Sequence, residues 1–222
     1  MTTMTMPRPR KDSGMEGMTA KWYAANTAEM MTEFIELAQR LASKLPQGST
    51  VLEVAPGPGY LAIELAKLGS YEVTGLDLSR TFVRMAAKKA ADAGVKVDFR
   101  QGSASSLPFE SDSFDFLVCR AAFKNFANPV RCLQEMCRVL RPGAEGLIID
   151  LRGDASSDVI SGAVDSMGLS AINRILTKLA FKTMLIKRAY TQEQFEGMLA
   201  ETKFRKTEIL ESGIGLEISM TK

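Results

Sequence analysis

Between residues 50 and 151 the chain switches repeatedly between two hydrophobic periods. Short apolar runs rich in β-branched residues read as strands over 51–55, 72–77, 96–101, 114–120 and 146–151. Apolar positions spaced three and four apart predict helices over 60–68, 79–93 and 129–140. Strands alternating with helices imply a mostly parallel sheet covered on both faces, with ligands at the carboxyl ends of the strands. Upstream, Met30, Met31, Phe34, Ile35, Leu37, Ala38, Leu41 and Leu45 recur at helical spacing over 19–45, as one long helix or two short ones, which Pro46-Gln47-Gly48 ends. Downstream, Thr191 and Gln194 form a capping-box pattern that starts a last helix through about residue 201. Two β-like runs, 207–210 and 215–220, follow it.

Two stretches fit neither rhythm. Residues 1–17 lack any period and read as a flexible tail, and Pro7 and Pro9 interrupt the amphipathic helix that a transit peptide would need. Residues 152–190 read as a cap inserted into a domain spanning 18–222. Their apolar stripe carries Arg174, Lys178, Lys182, Lys187 and Arg188 with no acid among them. Such a stretch either packs on the core with its charges in water or lies on an anionic membrane surface. The first reading is the expectation, and surface contact with a membrane stays as the alternative.

Candidate chemistry begins at Val51-Leu52-Glu53-Val54-Ala55-Pro56-Gly57-Pro58-Gly59-Tyr60, a strand, a tight turn and a helix start. Gly57 and Gly59 allow close approach of backbone to a ligand, since no Cβ stands in the way. Asp77 closes the next strand at the distance where an acid can accept both hydroxyls of a ribose. Gly57 to Ala62 also fits a dinucleotide fingerprint, so a NAD-dependent oxidoreductase stands as a rival. Against it count Glu53 in the strand and the motifs downstream. These are Gly102-Ser103-Ala104-Ser105-Ser106-Leu107-Pro108-Phe109, then Ser113-Phe114-Asp115-Phe116-Leu117-Val118-Cys119, then Arg138-Val139-Leu140-Arg141-Pro142-Gly143.

In this order the four segments, spanning about residues 50–152, resemble the class I S-adenosylmethionine-dependent methyltransferases, in particular the small-molecule type 11 group. The resemblance implies an α/β, Rossmann-like, seven-stranded, mostly parallel sheet with helices on both faces and a helical cap, its last two strands forming an antiparallel edge hairpin. It implies methyl transfer from S-adenosyl-L-methionine to a small-molecule acceptor, or a binding protein of the same fold without transferase activity. Glu53, Ala55, Gly57 and Gly59 match the loop that holds the methionine end, although Ala55 stands where the family usually has Gly. Asp77 matches the ribose acid, and Leu78 the apolar neighbour of the adenine. Ser103, beside Ala104 and Leu107, stands where many relatives carry an acid facing the adenine amine. Arg120 follows the fourth strand, where relatives usually offer a small residue; it is either a cofactor neighbour or a surface charge.

The chain has 222 residues, 45% of them hydrophobic and 24% charged, which fits one globular domain with a substantial core. A formal charge of +2 provides no field for nucleic acid, and no nucleic-acid motif is present. Cys119, Cys132 and Cys137 lack metal-ligand spacing, so buried thiols in a reducing, cytoplasmic compartment are the expectation. Histidine is absent, which excludes an imidazole base and argues against a zinc or iron site. Where many relatives carry histidines near the acceptor, Lys124 and Asn125 stand instead. Lys124, Tyr23, Asp150 and Asp154 are then the candidates for handling the acceptor, each with an ordinary structural alternative. Lys124 reads best as a cation that orients an anionic or carbonyl-bearing acceptor.

Overall fold

The computed structural model describes residues 14–165, 171–181 and 185–222. Two helices enter the fold, α1 (Gly17–Thr27) and α2 (Met31–Ala42), separated by one tight turn at Ala28–Met30. Then β1 (Thr50–Val54), α3 (Tyr60–Lys67), β2 (Glu72–Asp77), α4 (Arg80–Asp92), β3 (Asp98–Gln101), β4 (Phe114–Arg120), α5 (Pro129–Val139) and β5 (Leu140–Leu151) alternate as expected. The chain continues through α6 (Ser157–Asp165), α7 (Ala171–Ala180) and α8 (Gln192–Ala200) into β6 (Lys206–Ser212) and β7 (Gly215–Thr221). The order of the seven-stranded sheet is β3-β2-β1-β4-β5-β7-β6. Strands β1 to β5 are parallel, while β7 runs antiparallel to both β5 and β6. The order reverses at β1, between β2 and β4, and a crevice at such a switch point is where open α/β sheets bind ligands.

Alternating strand residues feed two cores. Leu52, Val54, Leu117, Cys119 and Ile148 point to one face, where α5 and α8 bring Leu133, Met136, Phe195 and Met198. Val51, Val73, Phe116 and Val118 point to the other, against Phe34, Leu37 and Leu41 of α2 and Leu61 and Leu65 of α3. Because both faces are covered, β1 and β4 are apolar almost throughout, and buried Glu53 in β1 stands out. The capping box at Thr191 and Gln194 forms with both hydrogen bonds.

Several boundaries differ from the sequence expectation. Strand β5 starts at Leu140 rather than 146 and carries Pro142 and Gly143 in its first half, with an irregular register between Phe114 and Phe116 of its partner. Proline is tolerated at such irregularities because a regular ladder bond is not demanded there. Residues 1–13 of the expected tail lie outside the described residues, whereas Met15 and Glu16 are hydrogen-bonded to the start of α4. The expected cap falls partly on 166–170 and 182–184, also outside the described residues. In its described part, Ile160, Val164 and Ile186 form a small separate core. Arg174 and Lys178 pair with Asp165, yet Ile175 and Leu179 of α7 are 66% and 57% exposed. Ile175 and Leu179 are therefore not packed inward.

Candidate active site

The turn after β1 is built from left-handed residues. Ala55, Gly57 and Gly59 have φ of 58°, 56° and 80°. This explains the family's glycine at the first of these positions, since a Cβ in that region costs about 1–2 kcal/mol. Ala55 is held there by its N–H, which donates to the Leu76 carbonyl at 2.8 Å. Gly57 and Gly59 have different surroundings. A Cβ on Gly57 would meet only Tyr23, at 3.9 Å, so this stretch of backbone is open to a ligand. A Cβ on Gly59 would lie 2.7 Å from Ala86 and from the Phe99 ring, so this glycine lets α3 pack against α4 and β3.

Two acids organise the turn from below. Asp77, at the end of β2, accepts the Gly57 N–H at 2.9 Å and the Ser79 N–H at 2.8 Å, one on each oxygen. Burial pushes its carboxyl above the usual range against those two amides. Each oxygen keeps a second lone pair, as accepting two ribose hydroxyls requires. Glu53 accepts the Ala62 N–H in the first turn of α3 at 2.9 Å, and burial pushes it up to about 8 despite that amide and the Arg120 charge. Leu78 is half-buried beside Asp77. Ser103 and Ala104 are half-buried in the turn after β3, where the Ser103 hydroxyl lies 2.9 Å from that of Ser105. An open glycine, a ribose-type acid and a second buried acid on one rim fit an adenosyl amino acid.

The N-terminal segment covers this rim, a feature the sequence does not announce. The Ser79 hydroxyl donates to the Met15 carbonyl at 2.5 Å, and Glu16 accepts from the Arg80 and Thr81 N–H groups and the Thr81 hydroxyl. Glu16 thus caps α4 from 64 positions away, a favourable place for an anion. Ser79 caps the same helix locally through Phe82, which a serine before a helical run does signal. Tyr23 of α1 packs edge-on against Phe82 and reaches over Gly57, while its neighbour Trp22 is 68% exposed.

At the ends of β4 and β5 the site is made differently. Lys124, in the tight turn Phe123–Asn125, is buried rather than a solvated loop charge. Its Nζ donates to Asp150 at 2.7 Å and to the Ala121 carbonyl at 2.6 Å, and its backbone N–H donates to the other Asp150 oxygen at 2.8 Å. Asp150 also accepts the Leu151 N–H. Two predicted catalytic residues are therefore brought together, but as each other's partners. Asp154, 42% exposed, pairs with Arg152 at 2.7 Å. Arg120 stacks 4.3 Å over Phe34 and donates to Glu33 at 2.5 Å, so it is neither a plain surface charge nor a small gap. Burial raises the Cys119 thiol well above its ordinary value, in keeping with an inert core cysteine.

With this geometry in view, residues 52–148 match the family described as a methyltransferase domain. Over 106 residues the chain is 38% identical to the ubiquinone/menaquinone biosynthesis C-methyltransferase UbiE of Bdellovibrio bacteriovorus, covering 46% of this chain and 44% of that protein. The chain thus aligns with less than half the length of this relative. Among solved structures, one assigned to the S-adenosyl-L-methionine-dependent methyltransferases, from Methanococcus maripaludis, superposes with a TM-score of 0.75 at 20% identity, covering 98% of this chain and 97% of its own. The [4+2]-cyclase SpnF shares the fold with a TM-score of 0.65 at 19% identity, covering 85% of this chain and 80% of its own. Residues 52–148 are thus similar to the type 11 methyltransferase domains, and the whole chain shares the fold of the S-adenosyl-L-methionine-dependent methyltransferase structure.

Proposed function

We propose that the protein transfers a methyl group from S-adenosylmethionine to a small-molecule acceptor that arrives already nucleophilic. The observation that carries this reading is the rim at Gly57 and Asp77, where an open backbone turn and a buried acid bearing free lone pairs meet. Bound there, the cofactor supplies a methyl group on a sulfonium that leaves as a neutral thioether, so the protein's part is alignment and exclusion of water. Asp77 holds the ribose, Leu78, Ser103 and Ala104 line the adenine, and Glu53, Ala55, Gly57 and Arg120 surround the methionine end, with Gly59 setting the packing beneath. Tyr23 closes the rim, and residues 152–190 cap the acceptor side within a domain running from residue 18.

The acceptor side lacks histidine, and its buried lysine and aspartate are engaged with one another. That arrangement suits a stabilised carbanion, an amine or a thiolate better than a hydroxyl needing a strong base. The quinone-pathway relative, named a C-methyltransferase, supports a carbon acceptor. Lys124 and Asp150 then shape the wall behind the acceptor instead of moving its proton. The second reading, a protein of this fold with other chemistry, is favoured by Ala55 in a left-handed conformation and by the cyclase that shares the architecture.

Calorimetric titration tests the proposal. S-adenosylmethionine and S-adenosylhomocysteine should bind, and NAD should not. Asp77→Ala should weaken both adenosyl ligands by about 1.5–3 kcal/mol, the worth of a charged hydrogen-bond acceptor, while the protein stays folded. Radiolabelled transfer to a panel of quinols, amines and thiols separates an enzyme from a binding protein. Binding of NAD alone, or unchanged affinity in Asp77→Ala, would sink the assignment of this rim.

A further inference from the structure

Resting on the methyl-transfer reading, we propose that Arg120 receives the α-carboxylate of the cofactor's methionine end, with Glu33 and Phe34 of α2 as its fixed anchor. Pleating places Arg120 on the same sheet face as Phe116 and Val118, toward α2 and α3. Glu53 shares that face on the neighbouring strand, opposite Val118, so Arg120 stands one pleat further toward the carboxyl ends. Its side chain is only 14% exposed. Nη2 donates to Glu33, but Nε and Nη1 have no hydrogen-bond partner among the described residues. No fully buried side-chain nitrogen among those residues lacks a partner, so these N–H groups open onto accessible space instead of being sealed in the core. A guanidinium gripped at one end by an acid and an aromatic face, with its remaining donors unused, is prepared for an anion.

The anion is identified by what lies beside it. Glu53, an acid, and Arg120, a base, stand on adjacent strands at the root of the open turn. A carboxyl that can accept and a guanidinium that can donate, on adjacent strands, match an amino-acid end, which carries an ammonium and a carboxylate on one carbon. A small acceptor with a single anionic group would leave Glu53 without a counterpart. Glu33, 56% exposed, is the surface-side anchor: it keeps the guanidinium on the Phe34 ring while the inner donors bind.

The test compares S-adenosylhomocysteine with its decarboxylated analogue by calorimetry on the wild type, Arg120→Met, Arg120→Lys and Glu33→Gln. Wild type should prefer the carboxylate-bearing ligand about 10- to 100-fold, the range for a charge-assisted hydrogen bond. Arg120→Met should abolish that preference by weakening S-adenosylhomocysteine alone, and Arg120→Lys should keep part of it. Glu33→Gln retains the guanidinium but loses its charged anchor, so S-adenosylhomocysteine should weaken less than in Arg120→Met while the preference over the decarboxylated analogue persists, which keeps the proposal testable if Arg120→Met does not fold. Equal losses for both ligands in Arg120→Met, or a folded Glu33→Gln variant with no preference for the carboxylate-bearing ligand, would make Arg120 a structural residue and overturn the proposal. A wild type that binds neither ligand would overturn the methyl-transfer reading as well.

Discussion

The two halves of the site are held by different kinds of force. Under the turn after β1, Asp77 and Glu53 grip backbone N–H groups, and the left-handed turn itself supplies the shape. At the ends of β4 and β5, a buried Lys124–Asp150 ion pair supplies it, tied to Ala121, another left-handed residue. Backbone-built geometry tolerates few residue types and is specific to one ligand shape. Side-chain-built geometry can be exchanged without rebuilding the sheet. The contrast teaches where the fold keeps its common cofactor and where it is free to change acceptor.

The largest test of this contrast is Lys124→Met. Removing one partner of a buried pair strands the other, and such losses run to about 3–5 kcal/mol. Urea denaturation should show a loss of that size, with much of it recovered in the double change Lys124→Met with Asp150→Leu. A loss below about 1 kcal/mol, the value of an exposed pair, would mean that water reaches the pair and that the acceptor wall is not built by it.

Next comes a pair of glycine changes on the cofactor side. Gly59→Ala forces a methyl group into Ala86 and Phe99 at a left-handed position, and should cost about 2–4 kcal/mol of stability. Gly57→Ala has the same backbone cost but open space, so its stability loss should stay near 1–2 kcal/mol while cofactor affinity falls. Equal stability losses would erase the division of labour between the two glycines.

A pH dependence is the third test. Glu53 has a folded-state value near 8 against an ordinary 4.5, because burial disfavours its charged form. A carboxyl raised in this direction contributes stability that is fully present below about 4.5 and is lost as pH rises toward 8. Glu53→Gln should therefore flatten the melting temperature between those two values. A profile unchanged by the substitution would place the carboxyl in contact with water.

Much of this arrangement was legible in the chain. Strands β2 and β4 fall at their expected residues, and Gly57, Asp77 and Glu53 converge as the spacing required, because each sits within one βαβ unit. Local periodicity carries that information. Arg120 with Glu33, 87 positions apart, and Glu16 on the start of α4, 64 apart, depend on how α1 and α2 dock, and no local pattern records docking. The burial of Lys124 was missed for a related reason: only the neighbouring strand supplies the aspartate that lets an ammonium leave water, and no local pattern records that pairing.

The position of β7 has a consequence for how the protein is made. The edge of β5 beyond β4 is closed only by residues 215–221, so it stays unpaired while the ribosome adds everything from residue 152 to residue 214. During that interval the mostly apolar second half of β5 presents open N–H and C=O groups, the kind of template that recruits other nascent chains. Polysomes crowded with this message would place such edges side by side. Substitutions that slow β7's arrival should then lower soluble yield in the cell without changing the stability of the finished molecule.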